Sequence, residues 1–240
     1  MFTVALIGPD GAGKTTIGRR VAQTLPLKVK YLYMGVNPDS SNHLLPTTRL
    51  IRALKRICGI YPDPPGPSDP PRVVLPVPRS RIKRCLMALK TAATFSNHLC
   101  EEWFRQGLTW YYQSRGNIVL FDRHFFSDFY ANDIARTDRP RPLRRRIHGF
   151  MLEHFYPRPD LIICLDAPAE VVFARKGEGT LESLERLRQQ YLQMRGLVRQ
   201  FAVVDANLPV DEVAGAVSAH ICDFYRSRNL RTGKLRHVSE

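Results

Sequence analysis

Gly8-Pro9-Asp10-Gly11-Ala12-Gly13-Lys14-Thr15-Thr16 fits the Walker A pattern G-x-x-x-x-G-K-[ST] in full. Each residue type has a task in that pattern. The glycines let the backbone wrap so that successive N–H groups point at a β-phosphate. Lys14 would bridge the β- and γ-phosphates, and the Thr15 hydroxyl is a hard oxygen ligand suited to Mg²⁺. A chance glycine-rich turn is the plain alternative, but it would not need the apolar run Phe2–Ile7 before it or a helical pattern after it. The helix opening near Lys14 would add its positive dipole end. Gly8, Asp10, Gly11, Ala12, Gly13, Lys14, Thr15 and Thr16 are therefore the candidate ATP- or GTP-binding residues.

A second constellation is Asp122-Arg123-His124, at the end of the apolar run Asn117–Asp122. A carboxylate there can hold Mg²⁺ or its waters, so Thr15 and Asp122 are the candidate metal ligands. An adjacent arginine can grip an acceptor phosphate through a bidentate fork. A strand-end salt bridge is the plainer reading of the same three residues. Phosphoryl transfer depends on cations, a positioned acceptor and exclusion of water, with no obligatory base, so His124 receives no role. His43, His98, His148, His154, His220 and His237 show no metal-ligand spacing.

These residues need a scaffold, and the chain supplies one. Phe2–Ile7, Asn117–Asp122 and Asp160–Asp166 read as short buried strands, Lys28–Tyr33 as a weakly alternating second strand and Phe201–Asp205 as a fifth. Ile17, Val21 and Leu25 follow at helical spacing up to Pro26, and further helices are expected over Ile82–Ser114, Leu181–Val198 and Val210–Tyr225, the first with a break near Gly107. Strands alternating with helices predict a parallel sheet covered on both faces, with the ligand beyond its carboxyl ends. Prolines at 62, 64, 65, 67, 70, 71, 76 and 78 make 61–80 an exposed, extended loop.

The ordered set of motifs resembles the thymidylate kinase family of P-loop nucleoside monophosphate kinases. It comprises Gly8–Thr16, Asp122-Arg123-His124 with Ser127 and Tyr130, Leu165-Asp166-Ala167-Pro168 with Glu170 and Arg175, Arg188 with Tyr191-Leu192, and Val204-Asp205-Ala206. The resemblance covers about residues 1–35 and 116–225. It implies a three-layer α/β/α P-loop kinase fold with a five-stranded parallel sheet. The domain would span 1–225, with a divergent helical and proline-rich insertion at 36–114 and a basic tail at 226–240. It also implies ATP and Mg²⁺ as cofactors and a nucleoside monophosphate, dTMP by default, as acceptor. By position, Asp10 would lie near the acceptor sugar and Arg123 would hold the acceptor phosphate. Arg175 would open a lid over ATP, with Lys176 and Arg186 or Arg188 as further cations. Asp205-Ala206 would flank the adenine. Lys14, Arg123, Asp10 and Arg175 are thus the candidate catalytic residues. Gly11 stands where some members carry an arginine, so the neutralising cation is expected from the lid.

The departures concern the acceptor. Tyr33-Met34-Gly35-Val36-Asn37-Pro38 replaces an Arg-Glu-Pro-like element, and Asn97 and Glu101 stand where the family reads thymine with Phe and Arg. Phe95, Trp103 and Arg105 are nearby substitutes. The same chemistry on a sugar phosphate, a lipid-linked intermediate or another small molecule therefore remains an alternative reading.

Composition frames these options. The 240 residues carry 36 Lys and Arg against 22 Asp and Glu, a net charge of +14, with 28 of the basic residues arginine. Such an excess suits an anionic partner or is spread over solvated faces. A P-loop module binding nucleic acid through the arginines at 136–146 is the lowest-ranked option, since no nucleic-acid motif accompanies the charge. Leu50, Ile51, Leu54, Ile57 and Ile60 form an apolar stripe opposite Arg49, Arg52, Lys55 and Arg56. The expectation is that it packs on its own domain, with peripheral membrane contact the less favoured alternative. Five cysteines without a C-x-x-C pair, no leader-like N-terminus and no long apolar stretch predict a reduced, cytoplasmic protein; a homodimer is compatible with the resemblance.

Overall fold

Five short apolar runs become the strands of one sheet: β1 (Thr3–Ile7), β2 (Val29–Tyr33), β3 (Ile118–Asp122), β4 (Leu161–Asp166) and β5 (Phe201–Asp205). The computed structural model describes residues 1–35, 41, 43–57, 81–130 and 143–231. The strand order is β2-β3-β1-β4-β5, and every pairing is parallel. Parallel strands need crossovers, and the crossovers place helices on both faces. This is the α/β architecture of a P-loop kinase, as expected.

The pleat sorts the core into two layers. Val4 and Leu6 of β1, with Ile118, Leu120, Ile163 and Leu165, face α1 (Lys14–Thr24) and α8 (Val210–Arg231). Ala5 and Ile7, with Val119, Phe121, Ile162 and Cys164, face the other side. There they meet α4 (Phe125–Phe129), α5 (Leu143–His154) and α7 (Leu181–Gln193). The period of two along β1, β3 and β4 thus serves two cores, which is why these inner runs are apolar almost throughout, whereas the edge strands β2 and β5 are partly exposed. Burial of Cys164 in the second layer pushes its thiol up to about 12, with Asp166 adding to the effect, so it stays a neutral core group.

Three helices complete the described chain: α2 (Pro46–Ile57), α3 (Arg81–Ser114) and α6 (Ala169–Lys176). No break occurs at Gly107, because α3 runs through it and a side chain there would meet open space. α8 continues to Arg231, six residues into the stretch read as a tail. The stripe on α2 departs from expectation: Leu50, Leu54 and Ile57 are exposed rather than packed on the domain. The proline-rich loop at 61–80, the arginines at 136–141 and the tail beyond Arg231 lie outside the described residues.

β1 is central, flanked by β3 on one side and β4 on the other, and the chain leaves it through α1 to reach the edge strand β2. A cleft therefore opens beyond the carboxyl ends of β1 and β3, where the two constellations emerge.

Candidate active site

The phosphate loop connects β1 to α1, and its shape depends on glycine. Gly8, Gly11 and Gly13 have φ of 139°, 101° and 87°. A Cβ on Gly8 would lie 2.5 Å from the Leu165 carbonyl oxygen, and one on Gly11 would lie 3.0 Å from that of Val172. Both strain and space exclude a side chain at these two points. Lys14 opens α1 with its ammonium buried, donating to the carbonyls of Gly8 at 2.7 Å and Pro9 at 2.8 Å. The loop is thus closed around the lysine that would serve the triphosphate.

Asp122 ends β3 fully buried. The Thr15 hydroxyl donates to its Oδ2 at 2.5 Å and the Tyr31 hydroxyl at 2.6 Å. Burial and the Asp122 carboxylate push the Tyr31 phenol far above its ordinary range, so it remains a donor. The other oxygen, Oδ1, is buried without a hydrogen-bond partner among the described residues. Such an oxygen is costly unless something occupies it. Together with the threonine hydroxyl, this donor set fits a hard divalent cation such as Mg²⁺.

Arg123 has φ of 67°, the one positive value outside glycine among the described residues. Its amide donates to the Leu6 carbonyl at 3.1 Å, which fixes the turn against β1. From there its guanidinium reaches Asp10 at 2.5 Å. A Cβ on Gly35 would sit 2.5 Å from Arg123 Cδ, so the small residue after β2 makes room for this side chain. Burial alone would raise the Asp10 carboxyl, but Lys14, Arg123 and Lys176 outweigh it and bring it down to about 2. Lys176 approaches Asp10 Oδ2 at 3.7 Å.

The other candidate residues divide. At the end of α6, Lys176 faces the loop, whereas Arg175 donates to the Ala206 carbonyl at 2.9 Å. Ala206 in turn donates to the Asp166 carbonyl at 2.6 Å, so Arg175 ties the lid helix to the segment expected beside adenine. Arg188 grips Asp166 with two bonds, at 2.5 and 2.8 Å, and also meets Glu185 at 3.2 Å. Arg186 pairs with Glu182 at an exposed site. On the outer side of the loop, Thr15, Thr16, Arg19, Arg20, Val210 and Asp211 line a cleft of about 490 Å³.

The acceptor side differs most from what the sequence suggested. Asn97 bonds Thr48, and Glu101 accepts from the Leu45 amide at 3.1 Å, so both positions hold the segment leading into α2. Arg105 is buried and donates to the Gly35 carbonyl at 2.8 Å. Trp103 packs on Trp110 and Tyr156, and Phe95 on His148. His98 and His148, which have no ligand spacing in sequence, converge on the buried Glu102. Their ligand atoms lie within 4.8 Å of one another, close enough for one ion to touch all three. His148 arrives from α5, and a spacing rule sees only local pairs. Burial alone would raise the Glu102 carboxyl, but hydrogen bonds from His148 and His98 hold it below its ordinary value. His124 is fully buried, and burial drives its imidazole down to about 3 despite the nearby Glu102 charge. It is neutral near pH 7.

Tyr31 and Gly35 are the residues that local motif reading missed. Only the alternation of β2 pointed toward Tyr31, and nothing in sequence paired it with Asp122.

No family model matches the chain. Among curated proteins it is similar to "Probable thymidylate kinase 1" of Saccharolobus solfataricus, with 24% identity over 216 residues. The likeness covers 88% of this chain and 91% of that protein, so it extends across the divergent segment as well as the shared motifs.

Proposed function

We propose that the chain is an ATP- and Mg²⁺-dependent kinase that transfers the γ-phosphate of ATP to a phosphorylated acceptor. A nucleoside monophosphate is the acceptor class that the motif set and the distant relative support, with dTMP to dTDP as the default. The observation that carries this reading is the meeting of two strand ends: Thr15 against Asp122, and Asp10 against Arg123.

That geometry supports the following assignment of roles. Lys14, now satisfied by two loop carbonyls, exchanges them for triphosphate oxygens when the loop wraps ATP. Thr15 and Asp122 hold Mg²⁺, which when bound neutralises charge on the triphosphate. Arg123 is released from Asp10 to fork onto the acceptor's phosphate, leaving Asp10 free to accept from a sugar hydroxyl. Lys176 is the lid cation nearest the loop, and Arg175 anchors the lid at Ala206.

A second reading keeps the chemistry and changes the acceptor. It is favoured by Asn97 and Glu101, which are engaged with Thr48 and Leu45 rather than presented as base-reading groups. One experiment addresses both readings. ADP release is measured over nucleoside monophosphates including dTMP, and over sugar phosphates, with Lys14→Ala as the zero. Turnover with dTMP supports the first reading, and turnover only in the second panel supports the other. Silence in both, with intact ATP binding, removes the kinase assignment.

A further inference from the structure

Three helices carry apolar side chains into solvent in the same pattern. On α2, Leu50, Leu54 and Ile57 follow i, i+4, i+7 spacing and are 52–81% exposed. On α3, Ile82, Leu86 and Leu89 repeat that spacing at 60–74% exposure. On α5, Leu143, Ile147 and Phe150 do so again at 44–70%. The helices share one joint. Thr48 and Leu45 tie the start of α2 to Asn97 and Glu101 of α3, while Phe95 of α3 meets His148 of α5 at 6.2 Å. Arg144 of α5 also lies over the Phe95 ring at 5.8 Å.

Single exposed leucines are ordinary, but three triplets of the same spacing on joined helices are not. The amino-terminal part of α3 is more unusual still, since every residue over 81–94 is exposed. A helix without a packed face is marginal in water, so this segment calls for an occupant.

Charge identifies the occupant. Residues 46–57 contain four Lys or Arg, residues 81–100 another four and residues 143–154 three, with Glu153 the single acid among them. A second copy of the chain would set like charge against like charge. Nucleic acid would use the arginines but leave the apolar triplets in water. Acyl chains beneath phosphate headgroups satisfy both halves, as for amphipathic helices lying in an anionic interface. No helix among the described residues is long and apolar enough to cross a membrane, so the contact is superficial.

We propose that α2, the amino-terminal half of α3, and α5 form a docking surface for an anionic lipid bilayer. None of its residues belongs to the phosphate loop, and the inference stands independently of the kinase reading.

The test is cosedimentation of the full chain with vesicles of phosphatidylcholine alone and with about 30% phosphatidylglycerol, a charge density that attracts basic segments. Binding is expected to the anionic vesicles only, weakening roughly 10-fold or more when salt shortens the screening length severalfold. Leu54→Asp, Leu86→Asp and Ile147→Asp, combined, should weaken it roughly 100-fold, since each removes a buried apolar group and adds repulsion. All three positions are exposed, and an unchanged circular dichroism spectrum and ATP affinity verify the fold. Lys14→Ala should bind vesicles as the wild type does, which separates this result from the enzymatic one. Absence of binding to anionic vesicles overturns the proposal. So does full binding by the triple variant, which would mean charge alone. A dimer that the triple variant dissociates, without vesicle binding, would assign the surface to a second copy instead.

Discussion

Arg123 and Asp10 meet at 2.5 Å, one held in a left-handed backbone conformation at the end of β3 and the other within the loop after β1. The pair joins the two constellations, and it engages the side chain proposed to hold the acceptor phosphate. Arg123→Ala should therefore lower kcat/KM for the acceptor by roughly 100-fold or more while leaving ATP affinity nearly unchanged, since a bidentate charge-assisted contact is lost. Arg123→Lys should rescue little, because a point charge does not replace a planar fork. Steady-state kinetics with each substrate varied separately checks this; normal acceptor kinetics in Arg123→Ala would remove the assignment.

The backbone of Arg123 makes a separate prediction. A non-glycine residue at φ of 67° carries strain that glycine does not. Arg123→Gly should be more stable than Arg123→Ala by about 1 kcal/mol, although both lack the guanidinium. Urea denaturation of the two inactive variants side by side measures the difference. Equal stabilities would mean that the turn relaxes freely.

Asp122 accepts from both Thr15 and Tyr31 through one oxygen and leaves the other unpaired in the interior. Asp122→Asn keeps an acceptor for these hydroxyls but removes the negative charge a divalent cation needs. The Mg²⁺ concentration for half-maximal turnover should rise roughly 10-fold or more, with a change in stability of at most about 1 kcal/mol. A Mg²⁺ titration of ADP release decides it, and an unchanged midpoint would exclude Asp122 from the metal site.

Much of this scaffold is legible in sequence. β1, β3 and β4 are continuous apolar runs because they are buried on both faces, the edge strands β2 and β5 are only partly buried, and the phosphate loop is contiguous. The contacts that give the site its character are not local. Tyr31 reaches Asp122 because β2 pairs β3 in register, with Tyr33 beside Asp122, and no periodicity in either strand states that register. Glu102 and His148 come from helices on either side of β3, and Arg105 finds the Gly35 carbonyl across the same cleft. The stripe on α2 shows the other gap. Its spacing announces an apolar face, but spacing does not say what covers that face.

Arg188, expected from the resemblance as a further cation over ATP, has a structural contact instead. Its two bonds to Asp166 fix α7 to the end of β4 beside the Ala206 segment. Arg188→Lys loses the fork and should lower stability by about 1 kcal/mol, or Tm by roughly 2–4 °C for a chain of this size. Thermal denaturation reads this directly. If Arg188 instead swings onto ATP, the variant would retain its Tm and lose kcat.

His124 supplies a pH prediction. Its folded pKa of about 3 lies well below the 6.5 of an ordinary imidazole, because the buried ring cannot be hydrated as a cation. Above pH 6.5 the group is neutral in both states and its contribution to stability is fully kept. As pH falls from 6.5 toward 3, the unfolded chain takes up a proton that the folded chain refuses, and that stability is lost. The slope approaches about 1.4 kcal/mol per pH unit for one such group. Urea denaturation at pH 7.5 and 5.5 should show the wild type losing about 1 kcal/mol through His124 over that interval. His124→Gln has no titrating ring, so its stability should change less between the two pH values by that amount. Equal losses in both proteins would show that the ring is hydrated or paired in solution and that the decline comes from other groups.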